Sequence, residues 1–158
     1  MTEITARDII ENLESIGTCM LTTVDASHRL ASRPMAVTHI DDDHRLWFFT
    51  SAGSEKVEDI LGEGQVNLAF VADKTWISVA GTAKVVTDEQ KKDELETMGA
   101  QAYFAEGAED SEAVLLCVDP ENAHYWEGPG KAAALVKLVT ASSSRDTPNM
   151  GESGSVDL

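Results

Sequence analysis

The sequence predicts a mainly β domain with helical additions, folded as a small antiparallel barrel. Three observations carry this. Six or so short runs of apolar, β-branched and aromatic residues recur between residues 19 and 118. Turn formers such as Asp25-Ala-Ser-His28 and Asp41-Asp-Asp-His44 separate the first three runs. Helical periodicity is confined to a few connecting segments, so the strand–helix alternation of a parallel sheet is missing.

Taken in order, residues 5–16 predict a helix. Ile9, Ile10, Leu13 and Ile16 share a face, Thr5 can cap the start and Gly17 stops the end. Residues 19–24, 30–39 and 46–51 follow as strands and predict an antiparallel meander. Residues 54–61 form a short helix with Val57, Ile60 and Leu61 facing inward. Residues 66–71 and 76–86 are two further strands. In the second, Ile77, Val79, Gly81, Ala83 and Val85 alternate with Trp76, Ser78, Ala80, Thr82 and Lys84, giving two distinct faces. Gly81 interrupts this strand as a bulge or a tight bend. Residues 88–98 are helical, capped by Thr87 or Asp88. Residues 113–118 are a continuous apolar run, which predicts a central strand. Residues 106–112 read as an acidic loop. From residue 141 the composition turns to Ser, Gly, Asn, Asp and Pro. The expected organisation is one domain over residues 1–141 and a flexible tail over 142–158.

Composition narrows the partners. The chain has 158 residues, with 12 Lys and Arg against 28 Asp and Glu, a net charge of −16. Nucleic acid is an improbable partner at that charge, because affinity for it rests on basic residues neutralising phosphates. No apolar run is long enough for a membrane span, and the N-terminal residues lack an export signal, so a cytoplasmic protein is expected. Cys19 and Cys117 lie in apolar runs and read as buried free thiols.

Residues 46–56, Leu-Trp-Phe-Phe-Thr-Ser-Ala-Gly-Ser-Glu-Lys, carry the strongest functional signal. An aromatic strand ends in Thr50 and Ser51, the chain turns at Gly53, and a helix opens at Ser54. Hydroxyls, unpaired N–H groups and Lys56 therefore collect at a helix N-terminus, which is a ready anion site. Ser32-Arg33-Pro34-Met35 contributes a second cation. Proline inside a strand implies an edge or a bulge, and a hairpin between residues 30–39 and 46–51 would carry Arg33 towards this corner.

Arg33-Pro-Met, Trp47-Phe-Phe-Thr50 and Ser54-x-Lys56 together resemble the flavin site of pyridoxamine 5'-phosphate oxidase-like split β-barrels, in particular their general stress protein subfamily. Val79-Ala-Gly-Thr-Ala-Lys-Val85, Val114-Leu-Leu and Tyr125-Trp126 continue the likeness, in the same order, over roughly residues 9–138. The resemblance implies an FMN-binding split β-barrel, a Greek-key-like antiparallel barrel of about six strands with flanking helices, and, against the composition of the tail, a Val156-Asp-Leu158 end that could dock as a short terminal segment. It implies that Arg33 and Lys56 hold the FMN phosphate with Thr50, Ser51 and Ser54. The backbone around Arg33, Pro34, Met35 and Ala36 and around Phe49 and Thr50 would line the ring and ribityl chain. The site would lie between two subunits of a homodimer, with Trp76, Ser78 and Trp126 supplied by the partner chain. A dianion clamp beside a flat apolar slot is what such a cofactor requires.

The sequence departs from the oxidase pattern where the substrate phosphate would bind. Thr38 stands in place of a lysine, and Gly128-Pro-Gly-Lys-Ala-Ala-Ala134 carries only Lys131 where a basic cluster belongs. Glu55 replaces a basic residue often found between the serine and the lysine. Vitamin B6 phosphates are therefore not the expected substrate. His39 and residues 41–44 include metal-capable side chains but read as a hairpin tip, so no metal site is expected. Gly151-Glu-Ser-Gly-Ser155 is not a nucleophile elbow, and no Walker or Rossmann glycine pattern occurs. Trp47, Phe48 and Phe70 read as core. No side chain stands out as a general acid or base. The reading is a flavin-dependent oxidoreductase with an unidentified small-molecule substrate. The alternatives are a non-catalytic flavin-binding stress-response protein and a relative that holds deazaflavin (F420) or haem in the same barrel.

Overall fold

Helix α1, Ala6–Ile16, forms where its ends are specified. Thr5 Oγ1 accepts from the Asp8 N–H while the Asp8 carboxylate accepts from the Thr5 N–H, a complete capping box. Gly17 ends the helix at φ +75°, its N–H bonded to Leu13 O. Ile9, Ile10 and Leu13 are buried. The computed structural model describes residues 4–97, 113–128 and 152–158. The expected acidic loop, Lys131 and the first half of the expected tail lie outside them.

The strands are β1 (Thr18–Val24), β2 (Leu30–Ala36), β3 (His39–Ile40), β4 (Leu46–Ser51), β5 (Gln65–Ala72), β6 (Thr75–Val86), β7 (Ala113–Glu127) and β8 (Glu152–Asp157). Helices α2 (Glu55–Gly62) and α3 (Glu89–Thr97) sit between β4 and β5 and between β6 and β7. All strands pair antiparallel in one curled sheet of order β2-β1-β5-β6-β7-β4-β3, with β8 added to β7. This is the mainly β split-barrel architecture that the sequence predicts.

Three expectations about elements need correction. The first three strand runs do not form a meander. The run over residues 30–39 breaks at Val37 and Thr38, and its two halves pair at opposite ends of the sheet. The Val37 N–H bonds Gly17 O at 2.8 Å, extending the β1–β2 ladder, and the Thr38 N–H bonds Trp47 O at 2.9 Å, extending β3–β4. Two consecutive residues thus join the two edges of the sheet. A change of partner leaves no mark on side-chain alternation, so the run looked like one strand. Leu61 is 72% exposed instead of inward. The buried stripe of α2 centres between Val57 and Ile60, and at about 100° per residue Leu61 falls roughly 70° outside that centre. Lastly, the end of the expected tail is not loose. β8 pairs along β7 from Asn122↔Asp157 to Glu127↔Glu152, and Leu158 N–H bonds Glu121 O at 3.1 Å. Val156 and Leu158 pack against the main core, and two apolar side chains outweigh the polar composition around them.

β7 continues nine residues past the apolar run that announced it. Its first half lies between β4 and β6 and is buried on both faces, whereas its second half has one exposed face and so alternates. The register between β6 and β7 slips between Ala80 and Gly81, and Gly81 faces Pro120. A Cβ on Gly81 would lie 2.6 Å from Asp119 O, so the strands approach as closely as they do only because this residue is glycine.

The main core fills the concave side of the sheet under α1 and α2, with Phe48, Phe70, Leu21, Leu68 and Leu116 fully buried. A smaller cluster of Trp47, Phe49, Leu95, Leu115 and Cys117 packs on the other face of β4 and β7 with α3. Lys91 of α3 places its ammonium 4.8 Å from the centre of the Trp47 ring. Both cysteines are buried and unpaired, and burial pushes the Cys19 thiol up to about 12.

Candidate functional site

The strand-to-helix corner forms as its residues dictate. Thr50, next to last in β4, faces the concave side and is buried. The Ser54 N–H closes a turn onto Ser51 O, and Ser54 becomes the N-cap of α2. Its hydroxyl donates to Ser51 O at 2.8 Å and makes no side-chain cap hydrogen bond to the helix. The opening N–H groups of α2 are therefore left uncapped by the residue placed to cap them. Lys56 folds back from the first turn and donates to Thr50 Oγ1 at 2.8 Å, and Thr50 and Ser54 share a 3.5 Å hydroxyl contact.

Arg33 reaches the same corner by a different route from the expected one. The hairpin that was to carry it pairs only β3 with β4. Arg33 instead stands on edge strand β2 opposite Leu21, an inward position, and the curl of the sheet brings β2 beside α2. Proline at residue 34 fits the edge strand that its missing N–H demands. Arg33 Nη1 donates to Thr23 Oγ1 at 2.7 Å and to Leu21 O at 3.3 Å. The Thr23 hydroxyl donates to Asp59 Oδ2 at 2.8 Å, and the same oxygen lies 3.8 Å from Arg33 Nη2. Burial, reinforced by the nearby Arg33 charge, holds the Lys56 ammonium below its ordinary range. Two cations are thus held close enough to repel each other, beside free helix N–H groups and two hydroxyls. Cations, hydroxyls and helix N–H groups are the donor types that suit an oxyanion.

The remaining predicted residues lie elsewhere. Phe49 points into the small cluster under α3, on the other face of β4 from Thr50, so only its backbone can serve the corner. Met35 packs partly against the main core. Pro34 is exposed on the convex face, in register with Met20. Trp76, Ser78 and Trp126 also lie on the convex face: Trp76 pairs with Trp126, and Ser78 pairs with His124 and accepts from the Asn67 side chain at 2.9 Å. The two indoles are 46% and 47% exposed, and one chain does not bring them to the Arg33–Lys56 corner.

A cavity of about 750 Å³ opens between α2 and the β1–β2 turn, but Asp25, Glu55, Glu58, Asp59 and Glu63 line it. Such a lining repels an anion, so the cavity, which adjoins the corner at Glu55 and Asp59, is not where an anion would sit. The stretch of residues 41–44 is the hairpin tip its composition predicts. Asp41 Oδ1 accepts from the Asp43 and Arg45 N–H groups. Burial works to raise the Asp41 carboxyl, but hydrogen bonds from the Trp47 indole and the Arg45 and Asp43 backbone, with the Arg45 charge, hold it below its usual range. The β1–β2 turn repeats the design: Asp25 Oδ1 accepts from the Ser27 and Arg29 N–H groups, and His28, like His44, adopts positive φ.

The pyridoxamine 5'-phosphate oxidase-like family model matches residues 5–149. The chain belongs to that family. Protein bli-3 of Neurospora crassa is 30% identical over 140 residues, an alignment covering 78% of this chain and 67% of that protein. Among solved structures, the family member is similar to a Clostridium acetobutylicum protein related to general stress protein 26 of B. subtilis. The identity is 25% and the TM-score 0.66, with 78% of this chain and 91% of that one covered. A pyridoxamine 5'-phosphate oxidase-related, FMN-binding protein of Nostoc punctiforme shares the fold at 15% identity and a TM-score of 0.61. There the coverage is 100% of this chain and 99% of that one.

Two members of the corner of this oxidase-like chain, Thr23 and Asp59, escape sequence reading. Thr23 had one available signal: it continues the inward alternation of Cys19 and Leu21 with a hydroxyl where an apolar residue belongs. Asp59 lies three residues after Lys56, which places it on a neighbouring part of the helix surface, but its partner becomes visible only once the sheet curls.

Proposed function

We propose that this chain is an FMN-binding oxidoreductase that holds the cofactor phosphate at the N-terminus of α2 and acts as a homodimer on a substrate other than a vitamin B6 phosphate. The observation that carries the reading is the placement of two cations at the uncapped start of α2, Lys56 folded onto Thr50 and Arg33 tied through Thr23 to Asp59, with no carboxylate within hydrogen-bonding distance of Lys56 among the described residues. FMN has one terminal dianion, and this corner offers two cations, the Thr50 and Ser54 hydroxyls and helix N–H groups to meet it. When bound, FMN supplies hydride and single-electron chemistry. The chain's part is to grip the phosphate, to present backbone groups of β2 and β4 along the cofactor and to keep the ligand fixed while electrons move.

The dimer reading is supported by the convex face. Three register rows cross it: Val71, Trp76 and Trp126; Pro34, Met20, Ala69, Ser78 and His124; and Ser32, Thr22, Asn67, Ala80 and Asn122. From β2 to β7 none of these positions is Asp, Glu, Lys or Arg, although such residues make up 25% of the chain, and on β8 the rows end in Ser153, Ser155 and the single acid Asp157. A broad, sparsely charged face with two exposed indoles on so acidic a protein supports the reading of an interface there. A second copy docked there would bring its Trp76, Ser78 and Trp126 towards the cofactor.

Purified protein should show flavin absorbance bands after loading with FMN and should bind riboflavin much more weakly. Anaerobic NADH or NADPH should bleach the bound flavin. Equal affinity for FMN and riboflavin would remove the phosphate assignment, and a flavin inert to every donor would leave a binding protein without the redox activity. No helix among the described residues is long and apolar enough to cross a membrane. The cytoplasm is the proposed location.

A further inference from the structure

We infer that Thr23 and Asp59 are positioning residues that make the corner selective for a phosphate-bearing flavin, by locking the Arg33 guanidinium with one donor edge turned outward; this rests on the FMN reading above. The lock is legible atom by atom. Both hydrogens of Arg33 Nη1 are committed inward, one to Thr23 Oγ1 at 2.7 Å and one to Leu21 O at 3.3 Å. Among the described residues, Nε and Nη2 donate no hydrogen bond. Those two nitrogens form the side-on edge of the guanidinium, the pair of parallel donors that matches two oxygens of a phosphate. The edge is not buried without a partner, so it opens to solvent. Thr23 itself is fully buried. Its hydroxyl can accept from Arg33 only with its lone pairs if its hydrogen is directed elsewhere, and Asp59 Oδ2 takes that hydrogen at 2.8 Å. Asp59 therefore sets the direction of the Thr23 hydroxyl, and the hydroxyl sets the guanidinium. The 3.8 Å separation between Asp59 Oδ2 and Arg33 Nη2 is an ion pair without a hydrogen bond, so the carboxylate holds the charge near without taking the donor that a phosphate needs.

Helix α2 presents both ends of the device. Lys56 reaches towards β4 and Asp59, three residues later, towards β1 and β2. The phosphate site thus has one fixed lysine and one fixed arginine, and the second depends on a threonine that touches no ligand. A residue that acts through orientation shows itself in discrimination between ligands that differ only at the group being read. Riboflavin lacks the phosphate and is that comparison.

The test is the ratio of riboflavin to FMN dissociation constants, measured by fluorescence titration for the wild type, Thr23→Val, Thr23→Ser, Asp59→Ala, Asp59→Asn and Arg33→Ala. Thr23→Val should lower the ratio about tenfold, the loss of one charge-assisted hydrogen bond, with riboflavin affinity unchanged. Thr23→Ser should restore it. In the Arg33→Ala background Thr23→Val should change nothing further, because the group it positions is gone. Asp59→Ala should lower the ratio, whereas Asp59→Asn keeps an acceptor for Thr23 and should not lower it. If both Asp59 variants raised the ratio, the carboxylate would be a mere opposing charge; if Thr23→Val or both Asp59 variants left it unchanged, the pair would be structural. Any of these results overturns the inference while the FMN reading stands. A wild-type ratio near one removes the FMN reading itself. Should Thr23→Val fail to fold by circular dichroism, the difference expected between Asp59→Ala, which lowers the ratio, and Asp59→Asn, which does not, decides the matter.

Discussion

Lys56→Met isolates the charge of the corner while keeping a side chain of similar length. Lys56 has three donor hydrogens and gives one to Thr50 Oγ1 at 2.8 Å, which leaves two for an incoming oxyanion. A hydrogen bond to a charged group contributes about 1.5–3 kcal/mol, so losing one such contact should weaken FMN binding about 10- to 150-fold. Riboflavin binding should be unaffected. Stability of the ligand-free protein should respond with the opposite sign. Burial and Arg33 depress the lysine below its ordinary 10.5, so the folded state binds fewer protons than the unfolded one between those two values. Stability of the wild type therefore rises with pH through that window, and below it the protein carries the full cost of the confined charge. The methionine variant should lack this rise. Affinity for FMN follows the reverse course: bound phosphate favours the charged lysine, so binding weakens as pH climbs through the depressed value. Chemical denaturation from pH 7 to 10.5, with parallel titrations of both flavins, measures all three effects. If FMN and riboflavin lost affinity together, or if neither changed, Lys56 would not be a phosphate ligand.

Four further outcomes are expected. Gly81→Ala places a methyl 2.6 Å from Asp119 O and should cost about 1–3 kcal/mol in urea unfolding; an unchanged midpoint would deny the close approach at the bulge. His28→Gly, at φ +61° on an exposed turn, should stabilise by roughly 1 kcal/mol, and a loss would show that the imidazole contributes more than its backbone strain. Trp126→Glu should convert the dimer to monomer in sedimentation and weaken flavin binding, since it puts a charge between the indoles of the proposed interface; a flavin-loaded dimer of normal strength would place the interface elsewhere. Truncation before residue 152 removes Val156 and Leu158 from the core and should lower stability by about 2 kcal/mol, an estimate for two half-buried aliphatic side chains, whereas an unaltered melting curve would mean that β8 does not hold to β7.

Most local features could be read directly from residues. Thr5, Asp8 and Gly17 announce both ends of α1, the alternation of Ile77, Val79 and Ala83 fixes the inner face of β6, and Gly81 marks the bulge. Features that depend on which strand lies next door could not. Nothing in Val37 and Thr38 shows that one bonds Gly17 and the other Trp47. Val156 and Leu158 are isolated apolar residues in a polar stretch, and only a vacant edge of β7 gives them a place. The site divides in the same way. Thr50, Ser54 and Lys56 are close in sequence, so their meeting is local chemistry. Arg33 stands out in sequence as a cation beside a proline, but its neighbours Thr23 and Asp59 are assembled by curvature, and curvature is not written in any one segment.

The two-residue crossing at Val37 and Thr38 bears on when the site can exist during folding. Arg33 belongs to β2, first in the strand order, and Thr50 to β4, sixth, so no ladder of hydrogen bonds sets them side by side. They become neighbours only when the rolled sheet meets along its seam, and α2 lies across that seam with Lys56 on one bank and Asp59 tied to the other. Local hairpins can form early and still present no binding corner. A ligand that spans Arg33 and Lys56 would act as a clasp, favouring the closed state by RT ln(1 + [L]/Kd) and nothing earlier. Ligand affinity would then gauge closure of the seam, and variants that loosen the crossing far from the phosphate should register first as a leak of cofactor, before any strand is lost.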